Sequence, residues 1–309
     1  MVGSAAANRI IGTAAADSIL GGAGADTIGM DVAAADTIDA GLGAESDLLI
    51  LSGEAAGLVT IDLSVAPDAD QVDVAGTQSD FQHVDLSALE DFGANVRGNA
   101  LHNAITGTSE ADTIIGGGGS DTINLGSVKN AEGVLVTDGE ADIVVYESPA
   151  DGWGSAGGAA AASRDTIKFF QSGMDKVQFT GSFTGGADDL DDIGDADDAF
   201  AFATNVKADF GATHEALLID FATSKLTGAA PLYANSPTTG AFGSVLAKIN
   251  KVGVTAAVGD DGLIVVQTST STGFYYYQET TGTAGVQATE LTLLGVLDVQ
   301  AAAGDFVLA

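Results

Sequence analysis

The sequence predicts an all-β protein built as a solenoid of short, closely stacked coils, and three observations carry that expectation. Glycine-rich nonapeptides recur in two runs, at residues 8–50 and 95–125. Within them, nearly every unit places an aspartate two residues before an isoleucine or leucine, so a turn is followed each time by a short strand whose apolar residue points inward. Side chains are small, with aromatics at only 6% of the chain against 42 glycines. That balance suits thin backbone layers filled by β-branched residues better than a bulky aromatic core.

Length and composition bound the rest. A chain of 309 residues with 46% hydrophobic residues can bury one large core or two to three modest ones. Ten Lys and Arg stand against 43 Asp and Glu, a formal charge of −33, which argues against nucleic acid and anionic lipid as partners. Carboxylates at this density repel one another unless cations lie between them, and divalent ions neutralise them most economically. There is no cysteine, so disulfides and thiolate metal sites are absent. Met1-Val2-Gly3-Ser4-Ala5 does not read as a basic region followed by an apolar one, and no run of about 18 apolar residues occurs. The expectation is a soluble chain without membrane insertion, exported, if at all, by a route other than an N-terminal signal.

The repeats are explicit. Gly12 to Leu20 reads GTAAADSIL and Gly21 to Gly29 reads GGAGADTIG, with Asp17 and Asp26 nine residues apart. Looser returns follow at Ala35-Asp36-Thr37-Ile38 and Ser46-Asp47-Leu48-Leu49. In the second run GTSEADTII begins at Gly107 and GGGGSDTIN at Gly116, so that Asn103, Asp112 and Asp121 again fall nine apart. Degenerate units appear at Asp138-Gly139-Glu140-Ala141-Asp142-Ile143-Val144 and Arg164-Asp165-Thr166-Ile167, and Gly173-Met174-Asp175-Lys176-Val177 reads as the last.

The glycines permit left-handed or crowded turns, and the aspartate at the end of each turn faces a neighbouring one. Nine residues make half a coil, so turns on one side recur about every 18 residues and stack at about 4.8 Å. Carbonyl and carboxylate oxygens then converge between coils as a hard, six-oxygen cage, which prefers calcium over magnesium or transition metals.

These residues resemble the RTX, or haemolysin-type, calcium-binding repeats. The resemblance implies a parallel β-roll with several calcium ions between successive turns. It implies further that Asp17 pairs with Asp36, Asp26 with Asp47, and Asn103 with Asp121. The metal-site residues it points to are Asp17, Gly21, Gly22, Gly24, Asp26, Asp36 and Asp47 in the first run, and Asn103, Asp112, Gly116, Gly117, Gly119, Asp121 and Asp142 in the second. Two units depart from the pattern: Gly12–Asp17 and Gly107–Asp112 lack the second and fourth glycines. Asn103 stands where an aspartate is expected. Weak or irregular sites are expected there. A flexible acidic Gly/Ala linker would not need an isoleucine after nearly every repeat aspartate.

The expected organisation is a first roll block over 1–57, irregular solenoid strands over 58–96, a second block with degenerate turns over 97–180, and a β-rich C-terminal domain over 181–309. Leu58 to Ser64, Val72 to Val74 and Val84 to Leu86 alternate as strands. The acidic run Ala187 to Asp195 fails as an EF-hand, because counting from Asp189 puts Ile193 and Phe200 at ligand positions; an acidic turn or an irregular calcium site remains. Gly240 to Val252 has helical spacing, with Lys248 and Lys251 near its end. Leu263–Thr268 and Phe274–Gln278 predict a hairpin, its aromatics serving strand packing or a ligand platform. The tail Gly304-Asp305-Phe306-Val307-Leu308-Ala309 resembles the uncleaved C-terminal signal of type I secreted proteins, and alone would also fit a final strand.

No catalytic constellation emerges. His83, His102 and His214 form no His-Glu-x-x-His helix, Gly152 to Gly157 lacks the setting of a nucleophile elbow, and only carboxylate chemistry on glycans stays open. His102, inside a repeat turn, is expected to be solvent-facing or bonded to backbone. The expected function is a secreted, calcium-binding structural protein that self-assembles at a bacterial cell surface or in its matrix, as a surface-layer, fibre or adhesin subunit. Its partners would be copies of itself, a cell-surface glycan or lipopolysaccharide, and the type I secretion machinery. The alternative is the C-terminal calcium-binding and export module of a longer type I secreted enzyme such as a protease, lipase or epimerase.

Overall fold

The computed structural model describes residues 1–41, 46–129, 131–151, 164–180, 202–204, 208–209, 216–220 and 241–308. The chain divides into two compact units, Met1–Val144 and Val145–Ala309.

The first unit is a parallel β-roll. Arg9–Ile11, Thr27–Asp31, Leu48–Glu54, His83–Glu90, Ala104–Thr106 and Thr122–Asn124 pair in that order, all parallel. Their register aligns one apolar position per strand: Ile10 with Ile28, Leu49, Val84, Ile105 and Ile123. From Ile28 onwards these residues are buried, so the isoleucine two places after each repeat aspartate builds the core as a stacked ladder. On the other side of the coil lie two further parallel sheets. One joins Ser18–Leu20, Asp36–Asp39 and Gly76–Ser79, and the other joins Val59–Asp62, Ala94–Arg97 and Thr113–Ile115. The inward ladder there runs Ile19, Ile38, Gln78 in one sheet and Ile61, Val96, Ile114 in the other.

The strands expected between the two runs belong to this same roll. Val72 contributes only an isolated antiparallel bridge to Ile61 rather than a strand: Asp73 N–H donates to the Thr60 carbonyl and Asp62 N–H to that of Gln71, while Gln71 N–H turns to Gln78. A small antiparallel hairpin, Val128–Lys129 with Leu135–Val136, projects from the last turns.

In the second unit Asp165–Lys168 pairs in parallel with Leu291–Leu297. The sheet continues antiparallel through Thr272–Gln278 and Asp261–Gln267, then parallel through Ala216–Asp220 and Phe202–Thr204. The expected hairpin is therefore present. Its aromatics pack rather than display themselves: Tyr275 and Tyr277 join a core with Leu217, Ile264, Leu293 and Val296, while Phe274 meets Tyr146 and Phe306 on the opposite face. The helix expected near Gly240 spans Ala241–Val252 and buries Ile249 in that core. It ends at Gly253, whose positive φ of 97° lets its N–H return to the Ile249 carbonyl. No helix among the described residues is long and apolar enough to cross a membrane. The acidic run 187–195, the glycine-rich segment 152–157 and His214 lie outside the described residues.

Candidate metal centre

Each coil delivers one acid or amide to the end of its turn, and these side chains reach back to the coil before. Asn8 N–H donates to Asp26 Oδ1, Asp26 N–H to Asp47 Oδ1, and Asn103 N–H to Asp121 Oδ1, each at 2.7 Å. On the opposite side of the roll Asp17 N–H donates to Asp36 Oδ1 and Ala94 N–H to Asp112 Oδ1, both at 2.7 Å, and Asp112 N–H to Asp142 Oδ1 at 2.8 Å. The three residue pairs that the resemblance implied are thus in direct contact. Asp26, Asp36, Asp47, Asn103, Asp112, Asp121 and Asp142 are all at most 2% exposed.

One carboxylate oxygen is engaged in this way; the other poses the chemical problem. Oδ2 of Asp26 and Oδ2 of Asp36 are buried with no hydrogen-bond partner. An ionised carboxylate held so has lost water without replacement, a cost that a bound cation removes. Oxygens converge around points where only glycine fits. A carbon built at the Cβ position of Gly12 would lie 3.2 Å from Asp36 Oδ2, 3.4 Å from Asp17 Oδ2 and 3.4 Å from the Gly29 carbonyl, so three oxygens from three turns face one point. At Gly21 the same carbon would meet Asp26 Oδ2 at 2.7 Å and the Ala40 carbonyl, and at Gly116 it would meet Asp121 Oδ2 at 2.6 Å. Two carboxylates or amides with backbone carbonyls form an all-oxygen donor set suited to calcium. Among the described residues, no three His, Cys, Asp or Glu side chains group as a metal site.

The other predicted glycines shape the turns. Gly24 has φ +98°, and a Cβ there would stand 2.7 Å from the backbone of Ala6 and Ala7 one coil earlier. Gly22, Gly117 and Gly119 also have positive φ and lie against Ser4, Asn99 and Leu101 respectively. The two departing units compensate with a hydroxyl: Thr13 donates its N–H and Oγ–H to Asp17 Oδ2 (2.6 and 2.9 Å), and Thr108 binds Asp112 likewise.

This difference in surroundings separates the carboxylates electrostatically. The Thr13 hydrogen bonds lower the pKa of Asp17, whereas burial pushes Asp112 up to about 6 against the hydrogen bonds from Ala94 and Thr108, with Asp138 adding repulsion.

A family model described as RTX calcium-binding nonapeptide repeat (4 copies) matches residues 2–29 and 97–128. These segments are RTX repeats. No curated protein matches the chain. RTX repeats bind several calcium ions and mark a calcium-binding protein of the type I secreted class. The match starts before Asn8, which extends the RTX ladder one turn ahead of Asp17, and ends at residue 128, just inside the insert that begins after Gly126.

Two residues that join the ladder outside the matched segments were not read as site positions in the sequence, where Asp138 figured only as the first residue of a degenerate unit. Asp138 is one: a carbon at the Gly126 Cβ position would collide with its Oδ2 and with the Thr108 carbonyl, the relation Gly107 has to Asp112 Oδ2 and the Leu125 carbonyl. The hairpin insert delays this aspartate to twelve residues after its glycine, so spacing gave no signal. Gln82 is the other, accepting Asp47 N–H at 2.7 Å. Here a signal existed, since Gln82-His83-Val84 repeats the pattern of Asp47-Leu48-Leu49 with an amide for the acid.

His83 and His102 have structural partners. His102 Nδ1 accepts the Ser120 N–H and His83 Nδ1 the Ala104 N–H, both at 2.9 Å, and burial lowers the pKa of His83, which keeps its ring neutral for that role. The C-terminal residues fold as well. Phe306–Leu308 pairs in parallel with Val177–Phe179, and buried Asp305 accepts Gly173 N–H (2.8 Å), Ser172 Oγ–H (2.6 Å) and Ala302 N–H (2.7 Å).

Proposed function

We propose that this chain is a secreted structural protein of a bacterial cell surface or extracellular matrix that calcium orders outside the cell and that then assembles with copies of itself. The observation that carries the reading is the buried, unpartnered Oδ2 of Asp26 and Asp36, repeated oxygen-lined gaps in a chain of formal charge −33. Calcium would be held by the carboxylates of Asp17, Asp26, Asp36, Asp47, Asp112, Asp121 and Asp142, with Asp138 as a further donor and the turns at Gly21, Gly22, Gly24, Gly116, Gly117 and Gly119 bringing carbonyls close; Asn103, whose amide is hydrogen-bonded at both heteroatoms, shapes its turn instead. Bound there, the ion neutralises adjacent acids. Without it, like charges at about strand spacing oppose stacking, so folding and binding are coupled. Extracellular sites of this kind bind at about 10⁻⁴–10⁻³ M, a range that leaves them empty in the cytosol and filled outside.

Export through the type I machinery, directed by the tail around Asp305, fits a chain that folds only after it meets calcium. Small side chains and a roll open to lateral contact favour assembly over catalysis, with a cell-surface glycan or lipopolysaccharide as the anchoring partner.

Circular dichroism during a calcium titration, followed by electron microscopy with and without the ion, tests the reading. Strand signal should appear cooperatively and ordered assemblies should follow. A fully folded apo-protein refutes the calcium coupling, and monomers under both conditions refute the assembly. A catalytic domain encoded in frame ahead of Met1 would replace the structural role with that of an export module.

A further inference from the structure

The acidic ladder is interrupted in the middle of the first unit. Between Asp47 and Asp121 the capping position is filled by Gln82 and Asn103. The exchange matters because a carboxylate only accepts hydrogen bonds, whereas an amide both accepts and donates and carries no charge. Gln82 Oε1 accepts Asp47 N–H at 2.7 Å while its Nε2 donates to the Asp80 carbonyl at 2.7 Å. Asn103 Oδ1 accepts Asn99 N–H at 2.8 Å while its Nδ2 donates to the Gln82 carbonyl at 2.6 Å. Gln71 closes on the backbone of Phe81 from both ends, Nε2 to the carbonyl at 3.0 Å and Oε1 from the N–H at 2.8 Å. Each of these amides is satisfied at both heteroatoms by protein, unlike the carboxylates of Asp26 and Asp36. Such a network needs no counter-ion.

Strand length peaks at the same place: Arg9–Ile11, Ala104–Thr106 and Thr122–Asn124 have three residues each, Thr27–Asp31 has five and Leu48–Glu54 seven, while His83–Glu90 has eight and buries Val84, Leu86 and Leu89. Phe81, Ala94 and Val96 add to that core, and Gln78 Nε2 ties it to the first block by donating to the Asp36 carbonyl at 2.8 Å.

We infer that the segment from Gln71 to Asn103 is a calcium-independent clasp, a coil that folds on amide hydrogen bonds and apolar burial and presents a preformed edge to the acidic turns on either side. The inference rests on the calcium reading of those turns. Calcium then orders outward from the clasp in both directions rather than from an end.

Hydrogen exchange followed by mass spectrometry on the full chain, in chelator and in calcium, tests it. In chelator, peptides covering His83–Arg97 should keep protection while those covering Arg9–Asp39 and Ala104–Asn124 lose it; calcium should restore the latter. Loss of protection throughout the roll in chelator overturns the clasp and leaves the calcium reading standing. Protection throughout in chelator overturns the calcium reading and the clasp with it. Gln82→Asp, which keeps an acceptor but adds charge, should make protection of His83–Arg97 depend on calcium, and unchanged protection in chelator overturns the role given to the amide. Asp80 lies within the clasp, buried with its Oδ2 unpartnered like those of Asp26 and Asp36. Asp80→Asn should preserve the protection, and its loss would show that a charge holds the segment.

Discussion

The backbone N–H of Asp26 donates to Oδ1 of Asp47 across 2.7 Å, although 21 residues separate them. One carboxylate therefore caps the preceding coil and also brings charge to the gap between coils, two roles that substitutions can separate. Asp47→Ala removes both and strands a buried N–H, at a cost of about 1–3 kcal/mol. Asp47→Asn keeps an acceptor and loses only the charge. Both variants should raise the calcium midpoint, but only the alanine should lower the denaturant midpoint at saturating calcium. Identical denaturation curves for the two would separate the hydrogen bond from stability.

Close stacking of the turns makes a second contrast. Gly24 and Gly133 both have positive φ, +98° and +77°, so alanine at either is strained by about 1–2 kcal/mol. At Gly24 the new Cβ would also press on Ala6 and Ala7, whereas nothing lies within 4 Å at Gly133. Urea unfolding in calcium should show Gly24→Ala as clearly the more damaging. Equal losses would mean that the turns tolerate a side chain between them.

Asp112 sets a pH dependence. Burial raises its folded pKa to about 6, above its ordinary value of 3.8. The folded carboxyl therefore holds a proton that the unfolded chain has already released, so its contribution to stability is present at low pH and fades as pH rises through about 6. Calcium must displace that proton, and its midpoint should fall over the same interval. Calorimetric calcium titration from about pH 5 to about pH 8 checks the trend, and Asp112→Asn should flatten it.

At the C-terminus, Asp305→Ala would leave Gly173 N–H and Ser172 Oγ–H without their acceptor and Ala302 N–H with Ser172 Oγ alone. Loss of even one such buried bond costs about 1–3 kcal/mol, so the second unit should melt earlier and Val177–Phe179 should exchange faster. An unchanged melting profile would contradict docking of the terminal strand.

The roll was legible in the sequence because its determinants are local and periodic. Ile28 and Ile123 announce the core by following an aspartate at fixed distance, Ile105 by following Asn103 at the same distance, and Gly22, Gly24, Gly117 and Gly119 announce the turns by a geometry few other residues reach. Legibility failed where a long-range partner substituted for a local rule. Gln71 and Gln78 look like ordinary surface residues, yet their amides are buried because Phe81 and the Asp36 carbonyl happen to sit opposite them. Asp138 was hidden by the insert that carries it back to the ladder. The aspartate of the tail read as part of an export signal, while its place beneath Gly173 depends on a coil about 130 residues earlier.

That insert bears on how such a protein could be altered. Residues between Gly126 and Asp138 leave the stack, form a small hairpin with Val134 and Leu135 in solvent, and hand the chain back with Asp138 where an uninterrupted turn would have placed its own acid. A foreign epitope or enzyme grafted there would be displayed at the side of the rod without shifting the rungs above or below it. Lengthening the rod itself obeys a stricter rule: only whole circuits can be added, because half a circuit would deliver every later side chain to the wrong wall.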